Sequence, residues 1–219
     1  MSQSVNRART YESPRRRAQA QATRRAILEA AQRLFQEHGY GATSVPAIAE
    51  LAEVSLKTVY VVFETKAKLL RSLWEERLGG EEADLAVTER AWYRELLEET
   101  EAQRQVALLA AQSRAVKTRS GVLMEVIRNA ASADPEIAHL WDDIQTKLHE
   151  VSRSIVQHWE RKQALHHDLD VNTASDLLWT LNHPSVWKLL VIERGWSESQ
   201  YEKWLRDAIT SQLLMDDRN

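Results

Sequence analysis

The most confining stretch of this chain is TSVPAIAELAEVSLKTVYVVF, residues 43–63, because it holds two helix-start signals too close together for a long helix between them. A hydroxyl just before a helix accepts a hydrogen bond from first-turn N–H groups that have no intrahelical partner. Thr43 or Ser44 is placed to do this for a helix beginning near Val45, where Pro46 is tolerated in the first turn. After a turn at Glu53-Val54, Ser55 caps a second helix, Leu56 to Phe63. Val45, Ile48, Ala49 and Ala52 form the inward face of the first, and Val59 and Phe63 that of the second.

The flanks supply what this pair packs against. Ile27, Leu28, Ala31, Leu34 and Phe35 make one apolar stripe on a helix predicted over Ala20–His38. Gly39 ends it as a left-handed cap, and Gly41 continues the loop. A fourth helix starts near Lys66, with Leu69, Leu70, Leu73 and Trp74 on one face, and stops at Gly79-Gly80. Two short helices joined by a tight turn and packed on a longer one make a helix-turn-helix. The second of the pair is the element that enters a DNA major groove.

The outward face of that second helix supports the same reading. Leu56, Lys57, Thr58, Tyr60 and Val61 point away from Val59 and Phe63. Leu and Val beside Lys and Tyr suit a groove floor offering phosphates, hydrogen-bond acceptors and thymine methyls better than they suit bulk water. Charge agrees: residues 1–74 carry 12 Lys/Arg against 6 Asp/Glu, and residues 75–219 carry 17 against 26. A basic end on an acidic remainder points to a polyanion held by one end only. Residues 1–19, with Arg7, Arg9, Arg15, Arg16 and Arg17 and almost no large apolar side chain, form a basic flexible arm. It is either a solvated tail or a segment that follows phosphates into a minor groove.

Beyond residue 75 the chain continues as helices only. Six Gly, four Pro and abundant Ala, Leu, Glu and Arg favour helices, and no alternating β-branched runs exist from which strands would form. The elements expected are a short helix over 90–99, two helices over 101–118 and 119–132 broken near Ser120-Gly121, and a long one from Glu136 to about Leu165. Ile137, Trp141, Ile144, Leu148, Val151, Ile155 and Trp159 run along the long helix as a continuous seam. After a loop at 166–170, helices follow over 171–182, over 184–193 from Pro184, and from Ser197 to near Met215. The last segments carry Leu177, Leu178, Leu181, Leu189, Leu190, Leu205, Ile209 and Leu213. That is more apolar surface than one monomer exposes, so residues 174–193 and 197–214 are the expected dimer interface.

The run GYGATSVPAIAELAEVSLKTVYVVFETKAKLL, residues 39–70, resembles the DNA-binding domain of the tetracycline-repressor (TetR) family. Gly39, Thr43, Ile48-Ala49, Val54-Ser55, Thr58, Tyr60, Phe63, Lys66 and Leu69-Leu70 carry the likeness. Residues 176–191 and 193–205 resemble the end of an actinobacterial-type branch of the same family, while the middle of the chain matches only loosely. The resemblance implies an all-α fold: an N-terminal three-helix helix-turn-helix domain, residues 20–74, plus a C-terminal helical ligand-binding and dimerisation domain, residues 75–219. It implies a homodimeric regulator, a repressor released from a palindromic operator by a small molecule. Ser55, Thr58, Tyr60 and Lys66 would meet phosphates or bases, with Thr43 capping the second helix. Together with Ser44, Leu56, Lys57 and Val61 they form the expected DNA-binding set. Three departures bear on it: Glu53 stands where the family usually has Gly in the turn, Lys57 where Gly is common, and Val61 where a polar residue is common.

Eight Trp, seven of them beyond residue 90, serve either core packing or an aromatic-lined pocket for a small apolar or cationic effector. Met124, Trp141 and Trp179 are the pocket candidates, and the ligand expected is larger than a sugar. No metal or cofactor is expected. His166, His167, Asp168 and Asp170 read as a wet loop, and the HExxH-like run at His149-Glu150 fails because Arg153 stands where the second His must be. There is no Cys, no phosphate-binding Gly loop and no nucleophile elbow, so an enzyme is disfavoured. With no membrane-length apolar run and no signal-like N-terminus, a cytoplasmic location is expected. Two rivals stay open: a constitutive or architectural DNA-binding dimer without an effector, and a helical enzyme with an incidental basic patch.

Overall fold

The computed structural model describes residues 14–82 and 85–215, apart from the side chain of Glu81. Among these residues the only extended pairing is a single antiparallel bridge, Leu165 to Leu214. The chain divides into two compact units at Leu69/Leu70. The division falls inside a helix, α4, Lys66–Gly79.

The first unit holds α1, Pro14–Ala42, α2, Val45–Leu51, and α3, Leu56–Phe63, with the start of α4. Helices as short as α2 and α3 are marginal alone in water, so packing and capping must hold them. Ser44 is the cap of α2, its side chain accepting from the Ala47 N–H, and Ser55 caps α3, accepting from the Thr58 N–H. Ile27, Leu28 and Phe35 of α1, Ile48 of α2 and Val59 and Phe63 of α3 are buried. Gly39 interrupts α1 at φ 75°, ψ 171°, a region open essentially to Gly alone. The basic run Arg15–Arg17 belongs to α1, which begins six residues before the predicted start; the first thirteen residues of the predicted arm lie outside the described ones.

The second unit holds the rest of α4, then α5, Ala91–Glu98, α6, Ala102–Ala130, α7, Pro135–Arg161, α8, Val171–Leu181, α9, Pro184–Trp187, and α10, Glu198–Leu213. Helix α9 runs on into a π-helical turn, Lys188–Glu193. The seam predicted along α7 is largely the buried one: Ile137, Ile144, Ile155 and Trp159 are buried, and Trp141, Leu148 and Val151 half-buried. Its deepest polar feature is fully satisfied. Gln105 accepts from Trp159 Nε1 at 2.9 Å and donates to the Leu96 and Glu99 carbonyls at 2.8 Å each.

Two expectations are overturned here. The break at Ser120-Gly121 does not exist: α6 is continuous over 29 residues. Gly121 is there because Trp187 packs against it, where a Cβ would lie 3.1 Å from the indole nitrogen. The glycine therefore reports a close approach between helices, not a turn. The second concerns the apolar residues expected at a dimer interface. Leu178, Leu205, Ile209 and Leu213 are at most 1% exposed within the single chain, so they are core and leave nothing for a partner. Of the apolar residues in those segments, Leu189 and Ile192 of the π-helical turn are the exposed ones, at 52% and 59%.

Candidate functional site

Helix α3 separates two chemistries by its own periodicity. Val59 and Phe63 are 3% and 4% exposed, whereas Val61 is 74%, Tyr60 47% and Leu56 41% exposed. Lys57 is exposed as well. Water gives no reason for two aliphatic side chains and a phenol to cluster with an ammonium on one helical face. At the N-terminal end the Ser55 and Thr58 hydroxyls lie 2.7 Å apart, with Ser55 exposed. Ser44, at the start of α2, is exposed too.

Two residues of the predicted set are placed differently. Thr43 is 3% exposed, and its hydroxyl donates inward to the carbonyls of Gly39 at 2.8 Å and Leu34 at 3.1 Å. It fastens the loop between α1 and α2 and is neither the cap of α2 nor an exposed contact. Lys66 is half-buried, and its ammonium donates to the carbonyls of Tyr40 at 2.9 Å and Thr43 at 3.0 Å while lying 4.0 Å from the centre of the Tyr40 ring. A charge-assisted bond to each of two loop carbonyls makes it a brace for the turn that aims α2 and α3. Glu53 sits in that turn at φ 54°, the left-handed conformation that its family position leads one to expect.

Of the three pocket candidates, Trp141 and Trp179 both pack against the His183 ring, whereas Met124 lies apart from them. Met124 lines a cavity of about 170 Å³ within the second unit. Trp179 lines a separate, open groove with Gln145, His149 and Asp176. Trp141 meets the edge of the His183 ring. The reason is rotational: Met124 lies on the inward stripe of α6, whereas Trp141 and Trp179 are half-buried on α7 and α8. Walls of the cavity come from Trp74 and Leu78 of α4, Trp92 of α5, Leu109 of α6, and Leu140 and Ile144 of α7.

Lys117, also in the cavity wall, is a buried charged residue that the sequence reading missed. It is 7% exposed, and the three N–H groups of its ammonium are shared among four oxygens: Ser113 Oγ at 2.7 Å, Asn182 Oδ1 and O at 2.6 and 2.8 Å, and the Tyr201 hydroxyl at 2.7 Å. Burial holds its pKa well below that of an ordinary lysine. A signal existed. Val106, Ala110, Ser113, Lys117, Ser120, Met124 and Ile127 advance by alternating steps of four and three, so Lys117 stands in register with a buried stripe.

The His166-His167-Asp168 cluster does form, with ligand-type atoms within 4.8 Å of one another, but it lies on an outward loop. The first two rings stack on each other, and both interact with Asp168. Among the described residues no helix is long and apolar enough to cross a membrane.

A capped helix pair with an exposed face on its second helix, joined to a helical unit containing a cavity, defines a helix-turn-helix protein with a C-terminal helical domain. Residues 27–73 match the family described as "Bacterial regulatory proteins, tetR family". Over 59 residues it is 42% identical to the HTH-type transcriptional regulator TtgR of Pseudomonas putida, and over 57 residues 40% identical to AcrR of Shigella flexneri. These matches cover 27% and 26% of this chain, and only 28% and 26% of those regulators. Likeness over most of the chain is one of fold. NalD of Pseudomonas aeruginosa, a repressor of a multidrug efflux pump, superposes with a TM-score of 0.68 at 22% identity, covering 91% of this chain and 99% of that one. FadR of Bacillus subtilis, solved with stearoyl-CoA, gives 0.68 at 20% identity, covering 85% and 97%.

Proposed function

We propose that this protein is a dimeric, sequence-specific DNA-binding repressor that a small molecule releases from a palindromic operator. The observation that carries the reading is the outward face of α3, where Leu56, Lys57, Tyr60 and Val61 stand exposed opposite a buried Val59 and Phe63. Lys57 reads guanine or a neighbouring phosphate, and Leu56 and Val61 meet thymine methyls. Ser44, Ser55, Thr58 and Tyr60 hold the backbone and carry little sequence information. Thr43 and Lys66 act one step back, by fixing the loop that aims the two helices.

The ligand-response part of the proposal rests on the cavity. Helix α4 begins at the reader with Lys66 and continues to Trp74 and Leu78 in the cavity wall. A ligand acts by binding one conformation of the second unit better than another, and can shift the equilibrium only by that difference in affinity. FadR solved with stearoyl-CoA and SmeT solved with triclosan are folds of this kind holding small molecules. The dimer contact is assigned to α8, α9 with its π-helical turn, and the outer face of α10, centred on Leu189 and Ile192.

Selection of bound sequences from a random DNA pool tests the reading. A two-fold repeated motif is expected, because a two-fold protein presents two identical readers. Binding without enrichment of any motif would instead support a constitutive architectural protein. For the dimer, Ile192→Arg should give monomers in analytical ultracentrifugation with helix content unchanged; a clean dimer would move the interface elsewhere.

A further inference from the structure

The cavity wall holds two buried cationic side chains, and one of them, Lys117, has no counter-charge beside it. Lys117 Nζ is surrounded by the Ser113, Asn182 and Tyr201 oxygens, all neutral dipoles. No carboxylate comes within ion-pairing distance of it among the described residues. A buried charge without a counter-charge is costly, and neutral dipoles compensate it only in part. Arg90, 6% exposed, also lines the cavity; its bonds are long, 3.3 Å to the Leu85 carbonyl and 3.4 Å to the Leu78 carbonyl, and the Glu82 charge partly answers it. Trp92 Nε1, sealed from solvent in the same wall, has no acceptor. Of the acidic side chains lining the cavity, Asp143 is engaged by Arg71 at 3.0 Å, and Glu75 is exposed. The remaining walls are apolar: Trp74, Leu109, Met124, Leu140 and Ile144.

We infer that the effector is a small aromatic carboxylate, its ring against the apolar wall and its carboxylate answering Lys117, with Arg90 and Trp92 Nε1 as further donors. The inference rests on the reading of this cavity as the effector site. Size sets the scale of the molecule: a cavity of about 150 Å³ accepts benzene, so about 170 Å³ takes one ring with a small substituent. Sign sets the headgroup. Lys117 and Arg90 repel a cation, so the cationic ligand that the tryptophans suggest is disfavoured. A carboxylate supplies both the missing counter-charge and acceptors for the sealed donors, whereas the isosteric amide supplies acceptors alone.

Calorimetric titration of the full chain, without DNA, with benzoate, benzamide and benzylamine tests this. Benzoate should bind about tenfold or more tighter than benzamide, the difference between a charge-assisted and a neutral hydrogen bond, and benzylamine should bind weakest. Lys117→Met should bring benzoate down to the benzamide level while leaving benzamide within about threefold of wild type. Lys117→Gln, which keeps a polar group among Ser113, Asn182 and Tyr201, should do the same and serves if the Met variant does not fold. Equal affinity for benzoate and benzamide, preference for benzylamine, no binding by any of the three, or a preference that survives both variants would overturn the proposal. Release of operator DNA is read separately. Benzoate that binds through Lys117 yet leaves DNA bound would sink the ligand-released repressor and leave the anion site standing.

Discussion

The two units of this chain keep their polar residues for opposite purposes. In the first, Ser44, Ser55 and Lys57 face outward, and the inward-turned Thr43 and Lys66 donate to backbone carbonyls of α1 and the residues that follow it. In the second, Gln105, Ser113 and Lys117 are inside, bound to one another's neighbours or facing the cavity. The family model matches residues 27–73 and relatives match over 57–59 residues at 40–42% identity, whereas over most of the chain the likeness is one of fold at about 20%. A surface shaped to a fixed partner such as a DNA groove restricts side chains one by one. A helical body restricts mainly which positions are apolar, and many sequences satisfy that.

The comparison is sharpened most by overpacking the second unit alone. Gly121→Val places a branched side chain against the Trp187 ring and should destabilise by about 1–3 kcal/mol in urea unfolding. An unchanged midpoint would show that Trp187 moves aside and that the approach is not constrained. Next in size is Lys66→Met, which leaves the Tyr40 and Thr43 carbonyls without their donor. We expect a loss of about 1–3 kcal/mol from the first unit, and weaker binding to every DNA sequence alike. A changed base preference would make Lys66 a direct reader.

Smaller and opposite in sign is Glu53→Gly. Relief of the left-handed conformation at φ 54° should stabilise the first unit by about 1 kcal/mol. Destabilisation would mean that the Glu53 side chain makes contacts that outweigh the strain. Val61→Ala should leave stability within about 0.5 kcal/mol, the side chain being 74% exposed, and relax preference at one base pair by about 1 kcal/mol. Uniform weakening on all sequences would turn α3 away from the groove orientation assigned to it.

The subtlest test is pH. Burial, then the Lys117 and Arg128 charges, hold the His183 pKa below its usual value. Its neutral ring is engaged at both nitrogens, Nδ1 accepting from the Ser185 N–H to cap α9 and Nε2 lying 2.8 Å from Gln145 Oε1. The unfolded chain therefore takes up the proton first as pH falls below about 6.5. The stability this group contributes is present above that value and is lost on acidification through the lower folded pKa. In His183→Asn, which can still cap α9, the fall in melting temperature between pH 7 and 5 should be smaller. An identical fall would assign the acid sensitivity to other groups.

How far the sequence could be read differs in the same way between the units. The caps Ser44 and Ser55, the buried faces of α2 and α3 and the exposed Leu56–Val61 surface are local, because hydroxyl caps and helical period act within a few residues. The inward turns of Thr43 and Lys66 were not legible, since their partners are carbonyls elsewhere in the chain. Lys117 was half-legible: its register in the stripe of α6 was on view, while the cavity beside it was not.

Local chemistry, then, determined from the sequence alone that the chain is helical, that two capped short helices form a helix-turn-helix pair, and which face of α3 is turned outward. Tertiary packing decided the rest. Gly121 became a contact with Trp187 in place of a break, Leu205, Ile209 and Leu213 became core in place of interface, and Met124 parted from Trp141 and Trp179. In each case the meaning of a residue depends on which distant helix lies against it. A periodicity says that a face is buried; only the packed structure says against what.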